Sequence, residues 1–254
     1  MILAIDMGNS NIVIGGIDEA STHFMERITT DIRKTDLEYA VSLKSILEMH
    51  AVAPRDLEGA ILSSVVPPLN AVIAEAVRKV TGLSCKLVGA GMKTGMNIRM
   101  DDPKHIGSDL IVDSVAAKAN YPLPIIVIDM GTATSITALD QRGDYVGGVI
   151  HPGLRVSLNT LSGSTAQLPS IDLEAPGRAL AKNTIEAMQS GILYGTAGML
   201  DGIITRMEAE LGSKATIVAT GGLARFVTPL CSHEIAVDDL LLLKGLLILY
   251  RKNS

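Results

Sequence analysis

One segment of the chain occurs twice, about half a chain length apart. The copies lie at 2–15 and 125–138, and in each an apolar run leads into Asp-Met-Gly, then into small residues and a β-prone run. Each copy predicts a strand, a tight turn that contains glycine, and a second strand. A third strand is expected in each half, over 25–29 and 145–150. A supersecondary unit that occurs twice in this way predicts two pseudo-equivalent lobes.

The segments between and after the two copies alternate helices with strands. Thr35 and Glu38 form a capping-box pattern that opens a helix. The further helices are expected over 67–82, 109–120, 183–211 (broken near 195–202) and 238–250, and the further strands over 59–64, 85–88 and 216–219. This alternation predicts an α/β fold.

The turn in the first copy is a candidate phosphate site. Gly8 lets backbone N–H groups approach an anion, and the polar side chains that follow it add donors. Asp6 at the strand end can hold a water of hydrated Mg²⁺. An Asp-Gly hairpin is also common as a plain turn, but its duplication favours a clamp for a polyphosphate. The candidate residues are Asp6, Met7, Gly8, Asn9, Ser10 and Asn11.

The second copy supplies a matching turn. Thr132 and Thr134 carry hydroxyl groups that can donate to phosphate oxygens, and Asp129 can bind a cation near a transferring phosphoryl group. A third glycine turn, Gly221-Gly222, follows a predicted strand and can lie against an adenine or a ribose. Taken alone, this third turn is equally well explained as a plain strand-to-helix connection.

Charge and hydropathy exclude several classes of protein. The formal net charge is −5 and no Lys/Arg-rich run occurs, which argues against nucleic acid as the main partner. The longest apolar run, 240–249, is interrupted by Lys244 and Gly245 and is too short to span a bilayer. The N-terminus lacks the pattern of a signal peptide. A cytoplasmic protein without a membrane partner is therefore expected.

The two hairpins and the third turn together resemble the superfamily of acetate and sugar kinases, heat-shock ATPases and actin. No Gly-x-x-x-x-Gly-Lys-Ser/Thr loop is present, so a P-loop NTPase is disfavoured. The resemblance implies two actin-like (ribonuclease H-like) lobes with a nucleotide cleft between them. The duplication places the lobes at 1–119 and 120–254.

Three further segments resemble motifs of type III pantothenate kinases. Residues 102–109 are similar to the family's Asn-Pro-x-x-x-Gly-Ala-Asp-Arg segment, 148–153 to its Gly-x-Ile-x-Pro-Gly segment, and 182–191 to its Lys-Asn-Thr helix start. The resemblance implies that ATP phosphorylates (R)-pantothenate to 4′-phosphopantothenate, the first step of coenzyme A biosynthesis. It also implies a homodimer with substrate pockets at the subunit interface, Mg²⁺ with ATP, and a monovalent cation, potassium or ammonium.

The resemblance also assigns roles to residues. It makes Asp109 the general base and Asp129 the ligand of the monovalent cation. Asp109 is also suited to capping the following helix, but the surrounding motif favours the base. The resemblance places Gly131 and Thr132 with residues 6–11 at ATP. The substrate-binding residues that it implies are Met100, Gly107, Ser108, Asp109, Leu110 and Thr184.

Two residues depart from the family pattern on the side of the acid substrate. Leu110 stands where the family has Arg, which serves the substrate carboxylate, and Met100 stands where it usually has Tyr. Three explanations are open: another cation replaces the Arg, the acceptor lacks the carboxylate as pantetheine does, or the protein is a non-catalytic ATP-binding regulator. We favour the first. The candidate cations are Arg99, Lys104 and Arg155.

A regulator and an actin-class scaffold are the alternatives from other functional classes. The retention of Asp6, Asp109 and Asp129 disfavours a regulator, because a pure binder could lose them. The short chain and the Asn183-Thr184 segment disfavour a scaffold.

Overall fold

The computed structural model describes residues 1–254, apart from the side chain of Lys104. In chain order the elements are β1 (Ile2–Met7), β2 (Asn11–Ile17), β3 (Thr22–Thr29), α1 (Asp36–Met49), β4 (Gly59–Ser64), α2 (Asn70–Thr81), β5 (Cys85–Leu87), α3 (Ser108–Asn120), β6 (Ile125–Met130), β7 (Ala133–Leu139), β8 (Tyr145–Pro152), α4 (Leu154–Gly163), α5 (Thr184–Leu211), β9 (Thr216–Thr220), α6 (Ala224–Val227), β10 (Ala236–Val237) and α7 (Leu241–Lys252).

The chain forms two compact units, neither of which is a single stretch of sequence. The first unit contains Met1–Gly95, Asp102–Ala116 and Leu240–Ser254, and the second contains Met96–Asp101 and Ala117–Asp239. Contacts thus group the terminal helix with the first unit. The lobes 1–119 and 120–254 describe the duplication along the sequence, and that division stays a prediction.

The first unit contains a five-stranded sheet in the order β3-β2-β1-β4-β5. β1 pairs antiparallel with β2 and parallel with β4. Because successive side chains of a strand point to opposite faces, Leu3, Ile5 and Met7 lie on one face, in a core with α1 and α2. Ile2 and Ala4 are buried on the other face, and α7 packs against β1. Burial on both faces explains the continuous apolar sequence of β1.

α1 begins as the capping box predicts. The backbone N–H of Thr35 donates to Oε2 of Glu38 at 2.8 Å, and the backbone N–H of Glu38 donates to Oγ1 of Thr35 at 3.4 Å. Two otherwise unpaired donors of the helix N-terminus are satisfied in this way.

The second unit repeats the first in topology. Its sheet has the order β8-β7-β6-β9-β10, in which each strand corresponds to one of β3-β2-β1-β4-β5. β6 pairs antiparallel with β7 and parallel with β9, as β1 does with β2 and β4. The prediction of two equivalent α/β halves is therefore confirmed at the level of each sheet.

The predicted break in the long helix near 195–202 is wrong. α5 runs without interruption over Thr184–Leu211. Its buried residues Leu193, Ala197, Leu200 and Ile204 recur at helical spacing and pack in the core of the second unit. This packing outweighs the unfavourable helix propensity of the glycines in the segment.

Hydropathy along the helices gives a separate result. Within the part of the chain that the structure describes, no helix combines the length and the apolar character that a membrane crossing requires.

Candidate active site

The first hairpin is held in shape by its own backbone and by one residue of the neighbouring strand end. The backbone N–H of Gly8 donates to the carbonyl oxygen of Asn11 at 3.0 Å. Oγ1 of Thr30 donates to the carbonyl oxygen of Gly8 at 2.7 Å, and the backbone N–H of Thr30 donates to that of Ser10 at 3.1 Å. Asn9, Ser10 and Asn11 are left exposed. The turn therefore presents polar groups from a fixed backbone, and the supporting role of Thr30 was missed by sequence reasoning.

Asp109 lies in the first turn of α3. Its Oδ1 accepts the backbone N–H of Leu110 at 2.9 Å. Burial raises the pKa of the Asp109 carboxyl, and this effect outweighs the hydrogen bonds from the backbone, which lower the pKa. A carboxylate that is poorly solvated and has a raised pKa is a stronger proton acceptor than an ordinary aspartate, as a general base requires.

The start of α3 is fastened to the end of β4. Oγ of Ser108 lies 3.0 Å from Oγ of Ser63, accepts the backbone N–H of Ser64 at 3.0 Å and donates to the carbonyl oxygen of Ser64 at 3.0 Å. In the parallel pair, Ser63 lies beside Asp6 and Ser64 beside Met7. The first unit therefore brings the candidate base and the phosphate hairpin to the same edge of one sheet.

Sequence reasoning missed Ser63 and Ser64. Their signal was available but weak, since they are two polar residues at the end of an otherwise apolar strand. Ser63 is fully buried, which makes its hydrogen bond a structural requirement.

The second hairpin lies in the second unit and has a matching bond. The backbone N–H of Gly131 donates to the carbonyl oxygen of Ala133 at 2.9 Å. Gly131 and Thr132 are exposed, whereas Thr134 is fully buried. Of the two threonines, only Thr132 lies at the surface of this turn, so the prediction that the Thr134 hydroxyl contacts phosphate is wrong.

The third glycine turn packs beside Asp129. Asp129 of β6 lies opposite Thr220 of β9 in the parallel register. Gly221 has a φ of +92°, and a Cβ atom there would lie 2.6 Å from the carbonyl oxygen of Met130. Glycine is therefore required at 221 both by its conformation and by the close approach to β6.

Thr184 is the first residue of α5 and is exposed. Asn183 caps the helix, because its Oδ1 accepts the backbone N–H of Glu186 at 2.9 Å. The remaining free N–H groups and the partial positive charge of the helix N-terminus suit this position to an anionic or hydroxylated ligand.

The candidate replacements for the family Arg differ in their surroundings. Arg99 forms two ion pairs within the second unit. Its Nη2 lies 2.7 Å from Oδ2 of Asp144, and its Nη1 lies 3.7 Å from Oδ2 of Asp140. Arg155 is exposed on α4 and forms no ion pair with another described residue. The side chain of Lys104 lies outside the described part of the chain. Arg155 is thus the better supported of the two described candidates.

The remaining predicted substrate residues fall in both units. Leu110 is half-buried beside Asp109 in the first unit, and Met100 is 36% exposed in the second.

Comparisons with known proteins decide the family. Curated type III pantothenate kinases from Moorella thermoacetica and from Exiguobacterium sp. are each 42% identical to this chain, and each alignment covers 100% of both proteins. A model of the type III pantothenate kinase family matches residues 2–206. The chain belongs to the type III pantothenate kinase family. The resemblance of its three motifs to that family is therefore confirmed.

Solved structures support the fold of this kinase. The activator of 2-hydroxyisocaproyl-CoA dehydratase from Clostridium difficile, with bound ADPNP, has a TM-score of 0.58 at 14% identity and covers 99% of this chain and 94% of its own. Component A of (R)-2-hydroxyglutaryl-CoA dehydratase from Acidaminococcus fermentans has a TM-score of 0.59 at 16% identity, with 98% and 96% covered. These likenesses confirm the actin-like α/β fold and nothing about the substrate.

Proposed function

We propose that the kinase transfers the γ-phosphoryl group of ATP to the primary hydroxyl of (R)-pantothenate, giving ADP and 4′-phosphopantothenate, the first step of coenzyme A biosynthesis. Membership of the family supports the substrate pair. The observation that carries the mechanism is the Asp109 carboxyl, whose pKa is raised by burial, on a helix start bonded to the strand next to the phosphate hairpin.

Asp109 acts as the general base. In its ionised form it accepts the proton of the substrate hydroxyl as that oxygen attacks the γ-phosphorus, in line with the leaving ADP oxygen. Exposed donors of the first hairpin, chiefly the side chains of Asn9, Ser10 and Asn11, hold the phosphates. Gly131 and Thr132 make a second contact with ATP.

The proposed reaction also uses Mg²⁺ bound with ATP and a monovalent cation. The chain has oxygen ligands that suit each of them. Asp6 and the hairpin oxygens offer the hard oxygen ligands that suit a hydrated Mg²⁺ bound with ATP, which supplies charge neutralisation at the phosphates when bound. The Asp129 carboxylate, beside the backbone of Thr220, offers oxygen ligands to potassium or ammonium. Among the described residues, no group of three or more His, Cys, Asp or Glu side chains is placed to hold a metal ion, so ligands from ATP and from the backbone complete both sites.

The acceptor is held by Thr184 at the start of α5 and, around the base, by Gly107, Leu110 and the backbone of Ser108. Arg155 takes the part of the missing family Arg and pairs with the carboxylate. Met100 contacts the acceptor in place of the family Tyr. We further propose a cytoplasmic homodimer whose substrate pockets lie at the subunit interface.

A second acceptor is favoured by one specific observation. Leu110 removes the cation that would recognise a carboxylate, so pantetheine, which lacks that group, is the alternative substrate.

The test is ADP release from the purified protein with Mg²⁺-ATP and potassium, compared for pantothenate, pantetheine and no acceptor. Asp109→Asn is measured beside Asp239→Asn, which changes an exposed aspartate of the second unit. Pantothenate-dependent release that is lost only in Asp109→Asn is expected. ADP release with pantetheine alone would identify pantetheine as the acceptor. If neither acceptor stimulates ADP release, a regulator is favoured.

A further inference from the structure

The hydroxyl group of Ser108 has all of its hydrogen-bonding capacity filled by the end of β4. It donates to the carbonyl oxygen of Ser64 and accepts the backbone N–H of Ser64, both at 3.0 Å. Oγ of Ser63 lies at 3.0 Å and completes the set as the donor to Oγ of Ser108. One donor and two acceptor sites are what a serine hydroxyl possesses. No capacity is left for a direct contact with substrate.

These three serines connect the strand of the phosphate hairpin to the helix turn that carries Asp109. Ser63 and Ser64 lie beside Asp6 and Met7 in the parallel pair of β4 with β1. The backbone N–H of Val65 also donates to the carbonyl oxygen of Met7 at 3.0 Å. A rigid set of bonds therefore runs from the strand that leads into the phosphate hairpin to the helix turn that carries Asp109.

The fastening depends on the hydroxyl group of Ser108. The family motif has Ala at the position of Ser108, directly before the catalytic Asp. An alanine side chain cannot make any of the three bonds. We propose that Ser108 is a positioning residue, which fixes the Asp109 carboxylate relative to the phosphate hairpin through Ser63 and Ser64. The proposal rests on the base role of Asp109 given above.

Removal of the hydroxyl has a defined physical effect. In Ser108→Ala the buried hydroxyl of Ser63 and the backbone N–H of Ser64 each lose a partner, and the first turn of α3 is released from the sheet. A displacement of the base by about 1 Å is enough to lower a phosphoryl-transfer rate by one to two orders of magnitude. Alanine is the residue of the family motif, so the variant has no steric obstacle to folding.

The experiment compares Ser108→Ala with Ser114→Ala. Ser114 lies on the same helix, is fully buried, and its Oγ has no hydrogen-bond partner among the described residues. We expect kcat of Ser108→Ala to fall on the order of tenfold with KM for ATP within about twofold of the parent. The acid limb of its kcat/KM profile should move to lower pH, because a loosened turn admits water to Asp109. Ser114→Ala should show neither change.

Three further variants, Ser63→Ala, its combination with Ser108→Ala, and Asp109→Asn, distinguish failure of the positioning role from failure of the base role. If Ser108 and Ser63 act as one unit, Ser63→Ala combined with Ser108→Ala loses no more activity than Ser108→Ala alone. An unchanged kcat and pH profile in Ser108→Ala, even with a lowered Tm, overturns the positioning role, as does a fully additive double variant. If Asp109→Asn is active, the base role itself fails. If it is inactive while Ser108→Ala is normal, only the positioning proposal fails.

Discussion

Oδ1 of Asp109 occupies the space that a Cβ atom on residue 107 would need. The carboxylate is folded back over Gly107, and its orientation therefore depends on the absence of a side chain there. In Gly107→Ala the added methyl group must displace the Asp109 carboxylate. We expect kcat to fall by about one to two orders of magnitude, since the base leaves its reacting position, and steady-state ADP release measures this loss.

Gly89→Ala is the matched control for that variant. Residue 89 is an exposed loop glycine of the same unit, and nothing lies within 4 Å of its added Cβ atom. Its kcat should match that of the parent, with unchanged or slightly higher thermal stability. A normal kcat in Gly107→Ala would show that the carboxylate has another productive orientation.

We expect the ionised carboxylate of Asp109 to lower the stability of the folded protein although activity requires it. Its pKa is raised in the folded protein by burial, so its contribution to stability is greatest below the pKa of the unfolded chain and is lost as pH rises through the folded pKa. At neutral pH, Asp109→Asn removes a poorly solvated charge and is expected to raise Tm while it abolishes turnover. Melting curves at neutral pH and at about pH 4 check this, because the gain should shrink at the lower pH.

The raised pKa of Asp109 also affects the pH dependence of activity. Activity should increase as the carboxylate ionises, whereas stability should decrease. Catalysis needs the ionised carboxylate, so kcat/KM should fall on acidification at a higher pH than an ordinary aspartate of about pKa 3.9 would give. An acid limb at or below that value would contradict either the base role or the raised pKa.

The sequence predicted the repeated topology because its evidence is local. The run from Ile2 to Gly15 and its copy carry the strand, turn and strand within one short segment, and both sheets follow from it. The continuity of α5 through Gly195 and Gly202 was not predictable in the same way, since it depends on a buried stripe that packs in the core of the second unit.

The supporting contacts of the site were missed for a related reason. Ser63 and Ser108 are 45 residues apart, and Thr30 and Gly8 are 22 apart. No periodicity or motif connects such pairs, which meet only when the sheet and the helices have assembled. The hairpin residues and Asp109 could be named from their motifs, but the bonds that hold them in place needed the fold.

The cation that replaces the family Arg can be tested by two arginine variants. Arg155→Met should raise KM for pantothenate by about one to two orders of magnitude, as expected for the loss of a charge-assisted hydrogen bond. Arg99→Met is the contrasting variant. Although burial works in the other direction, the bonds from Asn97 and Arg99 hold the pKa of Asp144 below its ordinary value.

Arg99 is therefore engaged in the structure of its own unit, and its loss should lower Tm without a selective effect on KM. Pantetheine, which has no carboxylate, should show no change of KM in Arg155→Met. If Arg155→Met binds pantothenate normally, Arg155 does not replace the family Arg.

Arg251 of α7 joins the terminal helix to two distant parts of the first unit. Its Nε lies 2.5 Å from Oε1 of Glu19, and its Nη2 lies 2.7 Å from Oε1 of Glu58. The hydrogen bonds from Arg251 lower the pKa of both carboxyl groups. Depressed carboxyl pKa values contribute stability above the unfolded pKa of about 4.3, and this stability is lost as pH falls through the folded values.

Arg251→Met should therefore lower Tm at neutral pH by about 2 °C, a modest change because the pairs are exposed. The difference from the parent should shrink below about pH 4 and in 1 M salt, where the charges are neutralised or screened. Lys252→Met is the control, since Lys252 follows directly on the same helix and forms no ion pair with another described residue. A loss of Tm that is the same at every pH would assign the role of Arg251 to the packing of its aliphatic stem rather than to its charge.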